Sequence, residues 1–307
     1  MSGGRHLWRG RLAIAATVLI WSTPPVFQYW LARSFDPWTQ NFYRYAAGFA
    51  AMLPFLLWKV GRDRAVMQRI EWKGCAMAAV PNAVHQIAQT MAVVFLLPGI
   101  YALAGRISVI MTAVLAVIFF ADERWITKSG RFILGTLCGL LGLAGLVWPV
   151  GGEVPPGWGT GLVLALLAAA GWAHYAILVK KHTAAAGPTI GFGVIGFFTV
   201  VLMWPLMLLL GKAAPFSGVD GWTLLVLFGS GVISIGIGHW LYYIGIRELG
   251  AAPAQSALLL CPLGTMMISG ALLGETFRIE QMVAGAVLLG GAFLALTARP
   301  PVIEEPA

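Results

Sequence analysis

Ten apolar runs, each close to the roughly 20 residues needed to cross a bilayer, follow one another along the chain at 12–32, 38–58, 74–97, 101–120, 131–149, 158–179, 188–210, 222–246, 252–273 and 281–298. Short polar or proline- and glycine-containing segments separate them. The pattern predicts an all-α chain of ten membrane-crossing helices. Its most informative stretch runs from Asn82 to Thr112, two helices meeting at Leu97-Pro98-Gly99. In the first of them Asn82, His85, Gln86 and Gln89 recur at intervals of three and four, which brings all four onto one helical face. A stripe of amides and imidazole is costly in hydrocarbon unless it lines a water-filled cavity or meets partners on other helices. The stripe therefore predicts a polar pathway.

Other polar positions are fewer. Arg44 shares a face with Asn41, Tyr45 and Gly48 in the second run, and its role stands open between reaching the interface or binding helix-end carbonyls, on one side, and holding a substrate carboxylate, on the other. In the fourth run Tyr101, Gly105, Ser108 and Thr112 form a stripe from which Arg106 lies about 120° or more away on a regular helix. Arg106 is accordingly expected to reach the interface or to bind helix-end carbonyls. His239, with Tyr242 and Tyr243, falls in the eighth run, whereas His174 sits near the end of the sixth, where water is within reach.

Composition sharpens this picture. Charged residues are 10% of the chain, against about 25% in an average soluble domain, and 59% of residues are hydrophobic. A multi-pass protein of the plasma (inner) membrane is expected. All twelve acidic residues fall in loops or at run ends, so no mid-span carboxylate is available to attract a cation. The net charge of +8 comes from basic side chains beside the runs, where they set orientation, and no nucleic-acid partner is implied. With the amino terminus inside, fifteen basic residues fall in inner segments and three, Arg33, Lys212 and Arg278, in outer ones. This asymmetry predicts that both termini are cytoplasmic. The first run is read as helix one rather than a removed signal, since no small-residue cleavage site follows it. Cys75, Cys138 and Cys261 have no paired spacing and read as small apolar residues.

A weak internal repeat divides the chain. Ile20-Trp21-Ser22 recurs as Gly171-Trp172-Ala173, Phe120-Ala121-Asp122-Glu123 recurs as Leu272-Leu273-Gly274-Glu275, and each glutamate precedes a glycine-rich run. The glycines of those runs, among them Gly135, Gly139, Gly142, Gly285 and Gly291, suit close backbone packing within the monomer or at a dimer contact. Residues 1–149 and 158–299 are expected to be five-helix repeats, with 150–157 as linker and 300–307 as tail. Five is odd, so the second copy enters from the opposite side, and the interface of the inverted halves is the expected binding site.

These features resemble the drug/metabolite transporter superfamily, specifically its two-copy EamA-type ten-helix members. The residues that carry the resemblance are Trp21 and Trp172 in the first helix of each half, Arg44 in NFYRYAAGFA, Pro262 in LLLCPLG, and Glu123 and Glu275 at the ends of runs four and nine. The first half departs at Ile110, where the family often has the proline seen at Pro262. The resemblance implies a secondary transporter, frequently an exporter of amino acids or related metabolites, whose first helices border a central cavity.

The candidate binding residues are therefore His85, Asn82, Gln86, Gln89, Arg44, Trp21, Trp172, Tyr175, Tyr101, His239 and Tyr243. Their cationic and neutral polar character favours a small zwitterionic or anionic substrate, with an amino acid the leading candidate. The alternative is multidrug or quaternary-amine efflux, with cation–π attraction to tryptophan in place of a carboxylate. A lipid-modifying enzyme would need a nucleophile with a base, or paired acids, and the histidines lack an acidic partner in the runs. The Gly191-Phe192-Gly193-Val194-Ile195-Gly196 sequence mimics a dinucleotide fingerprint but has no preceding strand. No cofactor or metal is expected. Proton coupling, if present, would run through an intramembrane histidine, His85 first. The expected partners are a small-molecule substrate and the lipid bilayer, the protein being a monomer or homodimer. The predicted orientation has a direct check: in a cysteine-free background, a cysteine replacing Gln68 should resist impermeant thiol reagents in intact cells, and labelling from outside alone would overturn it.

Overall fold

The computed structural model describes residues 2–120, 124, 128–147, 155–183, 185–212, 216–249 and 257–297. Glu123, most of the 150–157 linker and the 300–307 tail lie outside these residues. The described chain is helical. In the N-terminal half come α1 (Ser2–Trp21), α2 (Pro24–Leu31), α3 (Pro37–Arg62), a 3-10 turn at Arg64–Arg69, α4 (Trp72–Leu96), α5 (Pro98–Ala104), α6 (Ile107–Phe119) and α7 (Gly130–Val147). The C-terminal half comprises α8 (Trp158–His182), α9 (Pro188–Leu210), α10 (Gly221–Ser230), a π-helical segment Gly231–Ile237, α11 (Gly238–Leu249), α12 (Cys261–Leu273) and α13 (Ile279–Leu296).

Local chemistry sets the helix starts. Asp36 caps α3 by accepting the Trp38 and Thr39 backbone N–H groups at 3.0 and 2.9 Å, with Pro37 pre-set at the first position. Asp220 caps α10 through Thr223 N–H at 3.0 Å. Proline also opens α2, α5 and α9. Burial pushes the Asp36 carboxyl up, but hydrogen bonds from Thr39, Lys212 and Trp38 outweigh it and hold the group below its ordinary value. The Lys212 N–H donor, at 3.0 Å, ties the start of α3 to the end of α9.

Five helical stretches are long and apolar enough to cross a membrane: Leu7–Leu31, Pro98–Phe119, Trp158–His182, Thr189–Leu210 and Gly221–Gly245. Gly130–Leu146, Cys261–Leu273 and Ile279–Ala295 are shorter apolar helices. α3 and α4, of 26 and 25 residues, match the five in length and carry eight buried polar side chains between them, Thr39, Gln40, Asn41, Arg44, Asn82, Gln86, Gln89 and Thr90. The distribution is inverted relative to a water-soluble protein. Leu19, Met267 and Leu209 on the outside are more than 70% exposed, whereas Gln28, Gln40, Asn41 and Thr90 inside are fully buried. Large continuous apolar exposure of this kind suits a lipid surround.

Packing pairs the halves. α4 lies along α8, α1 along α11, α3 along α9, and α7 along α13. The first helix of each half thus rests on the third segment of the other. The α7–α13 contact is backbone to backbone: a Cβ added at Gly142 would stand 2.4 Å from Leu288 N and 2.7 Å from Ala284 O. The glycine-rich runs therefore pack against each other within one chain. Gly142→Leu should separate the two helices and lower the melting temperature of the purified protein, whereas Gly290→Ala, which meets nothing within 4 Å, should leave it unchanged; equal melting of both variants would contradict the contact.

Candidate functional site

A cavity of about 90 Å³ opens where the two halves meet. At roughly 15 Å³ per water it has room for several solvent molecules. Its wall coincides with breaks in helical regularity: Pro24 and Pro25 at the α1–α2 break, Gly105 and Arg106 between α5 and α6, and Ser234 and Ile235 in the π-helical segment. Irregular backbone at membrane depth is tolerated where it lines such a space, and π-helical turns frequently mark functional sites.

Eight of the eleven sequence candidates line this cavity: Trp21, Arg44, His85, Gln86, Gln89, Tyr101, Trp172 and His239. Counterparts meet there. Trp21 and Trp172 stand edge to face with centroids 5.8 Å apart, His85 lies 5.1 Å from Trp172, and His239 lies 4.9 Å from Trp21. The Trp21 indole N–H donates to Ser234 O at 3.0 Å. Gly171 makes the α4–α8 side of this cluster possible, since a Cβ there would stand 2.9 Å from His85 N. At that approach the His85 Nδ1 donates to Ala168 O at 2.8 Å. A carbonyl only accepts, so Nδ1 carries the hydrogen, and in the neutral form of the ring Nε2 is the acceptor.

The other three candidates stand behind the wall. Asn82 is one turn further along α4, where its carbonyl accepts from Tyr45 OH at 3.0 Å and its amide donates to Thr199 Oγ1 at 3.1 Å. Tyr175 and Tyr243 are buried and share a hydroxyl–hydroxyl hydrogen bond of 3.1 Å. Tyr175 backs Trp172 at 5.6 Å, and Phe192, which stacks on His239 at 5.1 Å, also touches Tyr243. None of these three is among the residues that line the cavity. His174 is exposed and donates to Ala170 O within its own helix.

Arg106 binds a backbone carbonyl, as one of its expected roles allowed, but it is not turned away from the polar stripe: it lines the cavity. The regular helix assumed for it does not exist. Arg106 N–H bonds to Leu103 O and Ser108 N–H to Gly105 O, both three residues back, and such tighter turns rotate each residue by about 120° rather than 100°. Its Nη1 donates to Leu258 O at 3.3 Å, and its buried Nε has no partner among the described residues. Arg44 is 1% exposed. Its Nε donates to Ser230 Oγ at 3.1 Å, and its Nη1 also lacks a partner among the described residues. No acidic side chain lines the cavity among those residues.

Gln28, not singled out from sequence, completes the amide chain. Tyr101 OH donates to Gln89 Oε1 at 3.1 Å, and Gln89 Nε2 donates to Gln28 Oε1 at 2.6 Å. Its signal was present in the first run, a lone glutamine among apolar residues, but no second polar residue at helical spacing marked its face. At opposite ends of α4, two ties join the halves. The His182 imidazole meets the Glu71 carboxylate at 2.6 Å, and Glu275 accepts from Gly99 N–H at 2.9 Å and from the Ser269 hydroxyl. Burial raises the Glu275 carboxyl above its ordinary value.

The chain matches the EamA-like transporter family twice, over residues 8–148 and 159–297. It belongs to that family. An uncharacterized transporter of Archaeoglobus fulgidus is 25% identical over 93% of this chain and 96% of its own. An uncharacterized protein of Pseudomonas aeruginosa is 30% identical over 81% of each chain. A Clostridium kluyveri uncharacterized transporter is 26% identical, with the match spanning 44% of this chain and 43% of its own. One solved structure, 16% identical, shares the fold with a TM-score of 0.66 over 93% of this chain and 96% of that one. This EamA-like protein is thus a multi-pass membrane transporter and not an enzyme by family. The amide chain offers a test of the site's construction. Gln28→Leu strands the Gln89 amide donor in the interior, a loss of about 1–3 kcal/mol, and should lower the melting temperature of the detergent-purified protein; an unchanged value would mean that Gln89 does not depend on Gln28.

Proposed function

We propose that this EamA-like protein is a secondary transporter that exports a small zwitterionic or anionic metabolite, with an amino acid the leading candidate, by alternating access across the plasma (inner) membrane. In this reading ten spans form two inverted five-helix repeats, residues 1–149 and 158–299, joined by the 150–157 linker, with both termini and the 300–307 tail cytoplasmic. Trp21, Arg44, His85, Gln86, Gln89, Tyr101, Trp172 and His239 contact substrate, while Asn82, Tyr175 and Tyr243 position them. The two matched copies, the reciprocal packing of first and third segments, and the counterpart residues at the cavity support the repeat arrangement. Movement of one half against the other would break the Glu275–Gly99 and Glu71–His182 ties in turn.

The observation that carries the substrate class is Arg44. A guanidinium cannot shed its charge, and this one is buried beside the cavity with a partnerless Nη1. A carboxylate supplies both the missing charge and a bidentate acceptor. Multidrug or quaternary-amine efflux is disfavoured by the same feature, since a cationic ligand would enter a site that already holds a buried cation.

The test is counterflow in proteoliposomes with a panel of amino acids, their decarboxylated amines, organic acids and sugars. Amino or organic acids should exchange and the matching amines should not. Arg44→Lys should slow exchange by roughly tenfold or more, because a point charge replaces the planar fork. Equal exchange of an amino acid and its amine by the native protein would sink the proposal.

A further inference from the structure

We infer that the substrate carries two carboxylates on one short organic frame, one for Arg44 and one for Arg106. This rests on the transporter reading above and narrows it. Two guanidinium groups line the same cavity, one from α3 and one from the α5–α6 bend. Each commits a printed hydrogen bond to a neutral acceptor, Ser230 Oγ for Arg44 and Leu258 O for Arg106. Each retains a buried N–H, Nη1 of Arg44 and Nε of Arg106, with no partner among the described residues. Charge balance then separates the candidate ligands. A neutral zwitterion leaves both cations uncompensated, and its ammonium finds no carboxylate in the described wall. A monoanion leaves one cation uncompensated. A dianion neutralises the site, and its oxygens meet the donors left over.

The remaining wall selects an organic frame over a pair of inorganic anions. Trp21, Pro25, Val109, Trp172 and Ile235 contribute apolar surface to the same space, which an ion such as phosphate would leave facing its own hydration shell. The neutral donors and acceptors of Gln86, Gln89 and Tyr101 add hydrogen-bonding capacity without charge. An amino group on the frame is therefore compatible but not what the site is built around. Four- or five-carbon dicarboxylates meet the charge balance in full, whereas acidic amino acids supply both carboxylates but carry a net charge of −1.

The experiment uses matched pairs differing only in the second carboxylate: succinate against butyrate, glutamate against glutamine, and aspartate against asparagine, each in counterflow with the full chain. The dicarboxylate of each pair should exchange at least tenfold faster at limiting concentration. Arg106→Gln should bring that ratio toward one, and Arg106→Lys, which keeps the charge, should restore part of it. The native pairs alone already decide the question if a variant does not fold. Equal rates within the pairs, a preference for any monocarboxylate, or faster exchange of inorganic phosphate would overturn the inference while leaving carboxylate transport standing. Exchange of amines with no carboxylate moving at all would instead remove the transport reading on which it rests.

Discussion

A polar group inside a bilayer has no water to turn to, and most of this structure follows from that constraint. The outside of the helix bundle is surrendered to leucine, methionine and phenylalanine, while amides, hydroxyls and a guanidinium are drawn inward. Once inside they must find one another. Tyr101, Gln89 and Gln28 form one chain of donors and acceptors, Asn82 bridges Tyr45 and Thr199, and Asn41 donates to Thr90 at 3.0 Å. Each link joins different helices, so the polar interior also fixes how the helices are placed.

Where the linking stops is where the function is to be sought. Among the described residues seven buried side-chain atoms lack a partner, and three of them, Arg44 Nη1, Arg106 Nε and the Ser234 hydroxyl, belong to residues of the cavity wall, including both of its cations. No acidic side chain among the described residues of the wall compensates them. An unpaired cation in a low-dielectric interior is costly, and the cost makes sense if a ligand supplies the missing charge during part of the transport cycle. The broken backbone around the same space has a related logic, because a regular helix would present only one face to it.

The two halves contribute differently to this site. Both arginines and the amide stripe belong to the first half, while the second half supplies the π-helical segment, His239, Trp172 and the carbonyls of Ala168 and Leu258. Aromatic residues retain the repeat relationship, with Trp21 against Trp172. The arginines of the wall both come from the first matched copy, so two copies of one family unit contribute an asymmetric set of donors.

The sequence alone determined the helical class, the lipid-facing composition, the two-copy order and the polar face of α4, because each is written in periodicity and spacing that local chain geometry preserves. It also located Trp21, Arg44, His85, Gln86, Gln89, Tyr101, Trp172 and His239 among the residues that meet at the cavity. Only the tertiary structure decided the fate of Asn82, Tyr175 and Tyr243, since sharing a helical face with the cavity does not say at which depth the cavity ends. The same holds for Arg106, placed by a tight turn that helical periodicity does not anticipate, and for Gln28, whose importance depends on Gln89, 61 residues away. Periodicity fixes direction around one axis; depth, and the identity of the partner across the gap, arise only when helices distant in sequence are brought together.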